Sequence, residues 1–318
     1  MTKPAFLITI DTEGDNLWRN HRHITTENAR FLPRFQQLCE KYAFKPTWLT
    51  NYEMATDPVY IAFARDVLAR QQGEIGMHLH AWHSPPTLPL TDDDWRYQPY
   101  LIEFPEPVLR DKVTYMTRLL EETFQTKMVS HRAGRWAFDV RYARILTELG
   151  YRVDCSVTPG VDWRTAPGAP QGTGGTDYRH FPREAYFLDE KDISRPGNSG
   201  LLEVPMTIHP KHPPLLNALK QGYDRLRGKR RNPSMNWLRP GRNNLALMKR
   251  AVEQSLQQGA DYVEFMLHSS EFMPDGSPTF KNEADIEQLY QHLDALFAWL
   301  QPQTQGMTLA EYYDRRMG

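Results

Sequence analysis

The chain contains very little cysteine. Its 318 residues include two cysteines, Cys39 and Cys155, which lie far apart in the sequence. A disulfide framework is therefore not expected, and a reducing cytoplasm suits this composition. The chain also has no apolar run near the ~18 residues that a bilayer-spanning helix needs. Its first residues lack the charged and apolar regions of a secretory signal, so we expect a cytoplasmic protein.

A large net charge is missing as well. The formal charge is −1 at pH 7, with 38 Lys and Arg residues against 39 Asp and Glu residues. Because nucleic-acid-binding domains carry excess positive charge, no nucleic acid is expected as a partner. Hydrophobic residues make up 40% of the chain, which is ordinary for a globular protein.

Short apolar runs alternate with longer amphipathic ones along the sequence. Seven segments are predicted to be strands: Phe6–Ile10, Pro46–Thr50, Glu74–His80, Met128–Arg132, Arg152–Ser156, Leu202–Ile208 and Tyr262–His268. Strands that alternate with helices predict a mostly parallel sheet covered by helices. Seven strands come close to the eight of a complete barrel. We therefore predict an α/β fold, a distorted (β/α)7-type barrel with its active site at the C-terminal strand ends; a doubly wound open sheet is the alternative.

Helical patterns lie between these strands. The clearest covers residues 57–73, where Asp57 suits the N-cap, Pro58 the first turn and Gly73 a left-handed C-terminal position. Similar patterns cover three more segments: residues 139–150, 244–258 and 283–300.

We predict that residues 1–318 form a single catalytic domain with two long loops and one insertion. The loops cover residues 84–107 and 161–199, and loops of this length usually form functional rims. The insertion at 211–242 holds nine Lys or Arg residues and one Asp, with Tyr223 and Trp237 interleaved. It could bind a phosphate-bearing sugar, associate with the anionic inner leaflet of a membrane, or form a solvated basic face.

Three histidines crowd the stretch G-E-I-G-M-H-L-H-A-W-H, residues 73–83. Side chains alternate along a strand, so His78 and His80 share one face, which we expect to point into the barrel. Two neighbouring imidazoles would repel each other when protonated, and a bound metal ion keeps both neutral. His83 lies beyond the predicted strand.

Other polar residues follow the ends of separate predicted strands. Asp11 and Glu13 share parity after the first strand, and Asp15 follows them. Arg132 ends the fourth strand, and His268 ends the seventh. Since parallel α/β folds keep their active sites at the C-terminal strand ends, these groups predict one catalytic rim.

The order of these motifs resembles that of the polysaccharide deacetylases of the NodB-homology type, carbohydrate esterase family four. The resemblance covers most of residues 5–270. In T-I-D-T-E-G-D, Asp11 matches the family's catalytic base, and Thr12 replaces its second Asp, a metal ligand. The resemblance implies that Glu13 takes over as a ligand, with Asp15 as the alternative.

The other motifs are matched with departures. The family's H-x-x-x-H becomes H-L-H-A-W, so His78 matches the first ligand, and His80 or else His83 must be the second. Arg132 matches the base-orienting arginine, and His268 matches the catalytic acid. Further positions in or near these motifs are expected to bind substrate: Trp82, Arg135, Trp136, Asp162 and Trp163. The departures resemble those of the WalW and WbmS subgroup, which is associated with O-antigen and capsule genes.

This resemblance implies a hydrolase that removes acetyl groups from an N-acetylated sugar with the help of a divalent metal ion, for which zinc is expected. The substrate is expected to be nucleotide- or lipid-linked, in surface polysaccharide or O-antigen biosynthesis. Two other functions stay open. One is a non-catalytic glycan-binding pseudo-deacetylase. The other is a glycosidase that uses Asp11 with Glu13 or Glu264 as its carboxylate pair.

Overall fold

The computed structural model describes residues 2–19, 22–213 and 232–318. In this part of the chain the strands are β1 (Ala5–Thr12), β2 (Pro46–Thr50), β3 (Glu74–Leu79), β4 (Ser130–Ala133), β5 (Val153–Asp154), β6 (Tyr186–Phe187), β7 (Leu202–Glu203), β8 (Ile208–Pro210), β9 (Met235–Trp237), β10 (Tyr262–His268) and β11 (Gln305–Met307). The α-helices are Leu32–Lys41, Tyr52–Ala55, Pro58–Ala69, Asp94–Tyr97, Glu106–Phe124, Val140–Glu148, Leu245–Gln257, Glu283–Leu300 and Leu309–Met317. Within these ranges, no helix is both long enough and apolar enough to cross a membrane.

The main sheet is almost entirely parallel. Its strand order is β10-β1-β2-β3-β4-β5-β7-β6, with β11 also paired to β1, and only the β6–β7 pair is antiparallel. The sheet curls into a half-barrel with helices outside it, which confirms the predicted distorted barrel. The register brings the polar strand ends together, because Asp11 pairs with His268 and His78 pairs with Arg132.

The barrel is distorted between β7 and β10. The predicted strand Leu202–Ile208 is interrupted: β7 stops at Glu203, and β8 forms a separate antiparallel ribbon with β9. Single hydrogen bonds replace a ladder here, such as that from the Glu264 backbone N–H to Thr207 Oγ1 at 2.9 Å. Pro205 lies within the break, and a proline cannot donate a backbone hydrogen bond to a neighbouring strand.

The two faces of the strands are buried in different surroundings. Ile75, Met77 and Leu79 belong to the large apolar cluster that includes the helices. Residues of the opposite face, such as Leu7 and Leu49, form a smaller cluster inside the curled sheet. Strand alternation thus separates the helix-facing side from the interior, and the interior-facing Asp11 and His78 lie near the C-terminal ends of β1 and β3.

The helix ends follow the predicted signals with one exception. Asp57 caps the Pro58–Ala69 helix by accepting a hydrogen bond from the Tyr60 backbone N–H at 2.8 Å. The predicted left-handed role of Gly73 is wrong, because Gln71 takes that conformation with φ 54°. Gly73 instead permits close packing, since a Cβ there would lie 2.8 Å from the Pro46 carbonyl oxygen.

Candidate active site

Three buried side chains converge at the C-terminal ends of β1 and β3. The Nε2 atoms of His78 and His80 lie 3.1 Å apart. Oε2 of Glu13 lies 3.4 Å from the first of these atoms and 2.9 Å from the second. Among the described residues, this is the group of His, Cys, Asp or Glu side chains whose ligand atoms are close enough to hold one metal ion.

The orientation of the imidazoles fits a cation. Nδ1 of His78 donates to the Arg132 carbonyl oxygen at 3.0 Å, which leaves the lone pair of Nε2 directed at the cluster. A tetrahedral ion with ligand distances of about 2.0–2.1 Å has ligand–ligand edges of about 3.3–3.4 Å, close to the observed spacings. Two imidazoles and one carboxylate suit zinc, cobalt, iron, nickel or manganese.

The electrostatics of the cluster favour a cation. Burial lowers the pKa of His80 to about 4, so this imidazole is neutral at pH 7. Burial also raises the pKa of Glu13, but the three nearby histidines, His268, His78 and His80, outweigh that effect and hold the pKa well below its usual value. The cluster therefore offers an ionised carboxylate beside a neutral imidazole, as a metal site requires.

Asp11 lies next to this cluster and is held by Arg132. Oδ1 of Asp11 accepts a hydrogen bond from Nη1 of Arg132 at 2.7 Å, while Oδ2 lies 3.9 Å from Nε2 of His78. Burial raises the pKa of Asp11, but the Arg132 guanidinium together with His78 and His268 outweighs this effect, so the pKa is lowered overall. Asp11 is consequently ionised, with one oxygen facing the cluster.

Arg132 is fully buried and makes four hydrogen bonds through its guanidinium group. It donates from Nε to the Cys155 carbonyl oxygen at 3.0 Å, and from Nη2 to Thr9 Oγ1 at 2.8 Å and to the Glu264 carboxylate. A buried guanidinium needs such compensation for its lost hydration. These contacts fix the plane of the guanidinium group, and Nη1 in that plane donates to Asp11.

His268 stands on the other side of Asp11. Its Nε2 lies 3.8 Å from Oδ2 of Asp11 and 3.7 Å from Oε1 of Glu13. Its Nδ1 lies 3.2 Å from Oε2 of Glu271 and 2.9 Å from Nη2 of Arg239. The contacts of Nδ1 thus fix the orientation of the ring, and Nε2 faces Asp11 and Glu13.

Sequence reasoning missed Glu271 and Arg239. Glu271 had a usable signal, because it lies three residues after His268, and its carboxylate accepts the backbone N–H of His268 in a capping box. No sequence pattern pointed to Arg239, because it lies 29 residues before His268, in a segment whose composition indicates a basic surface.

The two alternative ligands lie apart from the cluster. Nδ1 of His83 lies 3.3 Å from Oε2 of Glu53. The Asp15 carboxylate accepts hydrogen bonds from Thr25 Oγ1 and from the Asn28 backbone N–H. Neither residue belongs to the group that could hold the ion.

The cluster forms the floor of a cleft with a volume of about 320 Å³. Four of the predicted substrate-binding residues line it: Trp82, Arg135, Trp136 and Trp163. Asp162 is not among the lining residues, and its carboxylate pairs with Arg164 at 2.8 Å. Gln98 and Tyr100 from the predicted loop at 84–107, Ala166 from the predicted loop at 161–199, and Leu17 also line the cleft.

The wall formed by R-A-G-R-W has a strained backbone. Arg135 and Trp136 both have positive φ, 54° and 61°, which is rare for residues other than glycine. The Arg135 guanidinium is anchored by donating to the Gln98 and Pro167 carbonyl oxygens. Gly134 is required just before them, because a Cβ there would lie 2.7 Å from Nδ1 of His80.

Most of the predicted basic insertion at 211–242 lies outside the described residues. Residues 214–231, including Tyr223, are not described. Two of its later members are: Trp237 ends β9, and Arg239 lines the cleft.

The chain matches solved structures along nearly its whole length at low sequence identity. One is a protein from Mycobacterium smegmatis assigned as a polysaccharide deacetylase, with a TM-score of 0.56 and 13% identity over 99% of this chain and 91% of that chain. Another, from Parabacteroides distasonis, is assigned as a glycoside hydrolase/deacetylase, with a TM-score of 0.60 and 11% identity over 98% and 71% of the two chains. A third is the 4-alpha-glucanotransferase of Thermococcus litoralis, with a TM-score of 0.55 and 13% identity over 99% of this chain and 41% of that one.

No family model matches the sequence, and no curated protein does. At such identities the structural matches show a shared fold. The fold is therefore one found in proteins assigned as polysaccharide deacetylases and also in a glucanotransferase, and function must be argued from the site.

Proposed function

We propose that the protein is a metal-dependent N-deacetylase that releases acetate from an N-acetylated sugar. One observation carries the proposal: the ligand-type atoms of Glu13, His78 and His80 meet on the cleft floor, with Oδ2 of Asp11 and Nε2 of His268 within 4 Å of that cluster. Amide hydrolysis requires this combination of a cation site, a base and an acid at one point.

The residues divide the proton transfers between them. Asp11, kept ionised by Arg132, accepts a proton from the attacking water through Oδ2. His268 donates a proton from Nε2 to the departing sugar nitrogen, with its ring oriented by Glu271 and Arg239. A divalent cation, when held by Glu13, His78 and His80, supplies positive charge for the carbonyl oxygen and lowers the pKa of a water to ~7.

The walls of the cleft support a sugar as the substrate. Trp82, Trp136, Trp163 and Tyr100 surround a space of about 320 Å³, at the lower end of small-molecule sites. Aromatic rings pack against the apolar faces of sugar rings while hydroxyl groups reach polar side chains. The shared fold with proteins assigned as deacetylases supports the same class.

We expect zinc as the ion, and a nucleotide- or lipid-linked intermediate of surface polysaccharide or O-antigen assembly in the cytoplasm as the substrate. The basic composition of residues 211–242 and the two cysteines support this choice. Replacing Arg230 and Arg231 by Ala should weaken the preference for phosphate-linked over neutral substrates, and high salt should do the same.

Three measurements on the purified protein test the proposal: its metal content, acetate release from N-acetylated glycans, and new reducing ends. A deacetylase contains metal and releases acetate, and chelation stops it. A pseudo-deacetylase binds the glycan without releasing acetate. A glycosidase creates reducing ends and ignores chelators. The burial of Glu264, its bonds to Arg132 and Thr9 and its absence from the described cleft-lining residues argue against it as the second carboxylate, which leaves Asp11 with Glu13 as the pair for a glycosidase.

A further inference from the structure

A second cavity opens beside the cleft. It has a volume of about 290 Å³ and shares Trp136, Trp163 and Arg239 with the cleft. Two cavities with a common wall can hold neighbouring units of one ligand. The second cavity therefore lies where the sugar next to the acetylated one would be placed.

The β8–β9 ribbon supplies much of this cavity. Trp237 ends β9, and its ring lies 6.1 Å from that of Trp136, measured between centroids. Lys211 follows β8 and is positioned by its backbone N–H, which donates to the Ser234 carbonyl oxygen at 2.9 Å. The ribbon thus presents an aromatic ring and a cation to the same space.

The charge of this cavity differs from that of the cleft. The cleft is lined by Asp11 and Glu13 as well as by Arg135 and Arg239, whereas the second cavity is lined by Lys211 and Arg239, with no Asp or Glu among its described lining residues. Glu271 pairs with Arg239 from outside the cavity, so Lys211 supplies the uncompensated positive charge, which favours an anionic ligand group.

Arg239 has N–H groups available to bind such an anionic group. Its Nη2 contacts Nδ1 of His268 at 2.9 Å and Oε2 of Glu271 at 3.1 Å, and within the described residues its Nη1 and Nε make no hydrogen bond. The backbone is held in place, because Nδ2 of Asn244 donates to the Arg239 carbonyl oxygen at 2.8 Å. The side chain is 27% exposed, so its Nη1 and Nε N–H groups can each donate to an oxygen of a carboxylate or phosphate.

We propose that the second cavity binds an anionic sugar unit, one that carries a carboxylate or a phosphate, directly beside the N-acetylated unit. This proposal rests on the deacetylase function above and narrows its substrate class to acidic glycans. Arg239 and Lys211 bind the anion, and Trp237 packs against the sugar ring.

Binding can be measured by tryptophan fluorescence with three probes. The probes are a disaccharide of glucuronate and N-acetylglucosamine, the methyl ester of that disaccharide, and N-acetylglucosamine 1-phosphate. The ester keeps the shape of the disaccharide but removes its charge. We expect the free acid to bind about 10-fold more tightly than the ester at low salt, and less so as salt screens the charges. Tighter binding of the 1-phosphate than of the acid would identify phosphate as the anion.

The variant Lys211→Glu should weaken binding of the free acid about 5-fold, the upper range for an exposed ion pair, and leave binding of the ester unchanged. Arg250→Glu is the matched control, since Arg250 is exposed on the Leu245–Gln257 helix and lines neither cavity. Equal binding of acid and ester, or an equal effect of both variants, overturns the proposal. Acetate release from the same probes is measured in parallel. If none of them releases acetate while the acid preference and the Lys211 effect persist, the deacetylase function fails and the anion site stands.

Discussion

Two histidine–carboxylate groups lie on adjacent strands of the same barrel and differ in kind. On β4, His131 donates from Nδ1 to Oδ1 of Asp154 at 2.6 Å, and its Nε2 bonds to the Tyr142 hydroxyl at 2.7 Å. Beyond β3, Nε2 of His80 meets Oε2 of Glu13 and Nε2 of His78. Contact between an imidazole and a carboxylate is common to both groups.

The difference lies in what the ring nitrogens are left to do. Both nitrogens of His131 are used by neighbouring side chains, and the residue is fully buried. In the cluster, the Nε2 atoms of His78 and His80 point at each other, an arrangement that a shared cation satisfies, and the site opens to the cleft. The candidate metal site is therefore marked by ring nitrogens that point at each other without a donor between them, and not by the mere proximity of a carboxylate.

The most direct test of the difference between the two groups is to remove a histidine from each of them. His78→Ala and His80→Ala should each empty the metal site and abolish acetate release, because two ligands hold a divalent ion poorly. His131→Asn should keep the metal and most of the activity but lower the free energy of unfolding by about 1–3 kcal/mol, the cost of unsatisfied buried groups. Metal content and thermal unfolding of the three variants check this.

The carboxylate ligand is tested in the same way. Glu13→Ala should also empty the site, whereas Asp15→Ala should leave it filled, because the Asp15 carboxylate is turned to Thr25 and Asn28. The opposite result would move the ligand role to Asp15. Loss of metal from His131→Asn would contradict the distinction between the two groups.

The next largest effect is expected from Asp11. Asp11→Asn keeps the shape of the side chain and its place beside Arg132, so metal should stay bound while turnover falls by about 10²–10⁴-fold. Metal content and acetate release on one preparation separate these effects. Activity within tenfold of the unaltered protein would remove Asp11 from the role of base.

His268→Ala should also spare the metal, and it should slow acetate release by about 10²-fold from amides. The loss should be smaller on acetate esters of the same sugar, because an alcohol leaves without needing as much help from an acid. Rates on matched amide and ester substrates measure the difference. An equal loss on both would mean that His268 positions the substrate rather than protonating the leaving group.

Much of the fold could be predicted from the sequence because strand parity is a local property. Pro46–Thr50 and Tyr262–His268 are strands with the predicted bounds, and parity also placed His78 and His80 on one face. The break after β7 could not be predicted, because it depends on how the curled sheet closes against β10.

The spatial arrangement of the candidate site could be predicted in part. Residues at strand ends, such as Asp11 and His268, are brought together by the parallel register. Arg239 and Tyr100 reach the cleft from irregular segments, whose path is set by tertiary packing and not by periodicity. A sequence pattern therefore finds the floor of such a site more readily than its walls.

The smallest effect is expected from His83, the third histidine of the stretch that contains the candidate ligands. Nδ1 of His83 faces Glu53, and Oε1 of that glutamate accepts the backbone N–H of Gly14, next to Glu13. His83→Ala should therefore affect the metal only indirectly, through this chain of contacts or through the His80 ring 5.7 Å away, leaving the metal bound and activity within about threefold. Glu53→Gln, which keeps the size of the side chain, is the matched control and should behave alike. If His83→Ala empties the site while His80→Ala leaves it full, then His83 is the second imidazole ligand, and the local path beyond β3 must differ when metal is bound.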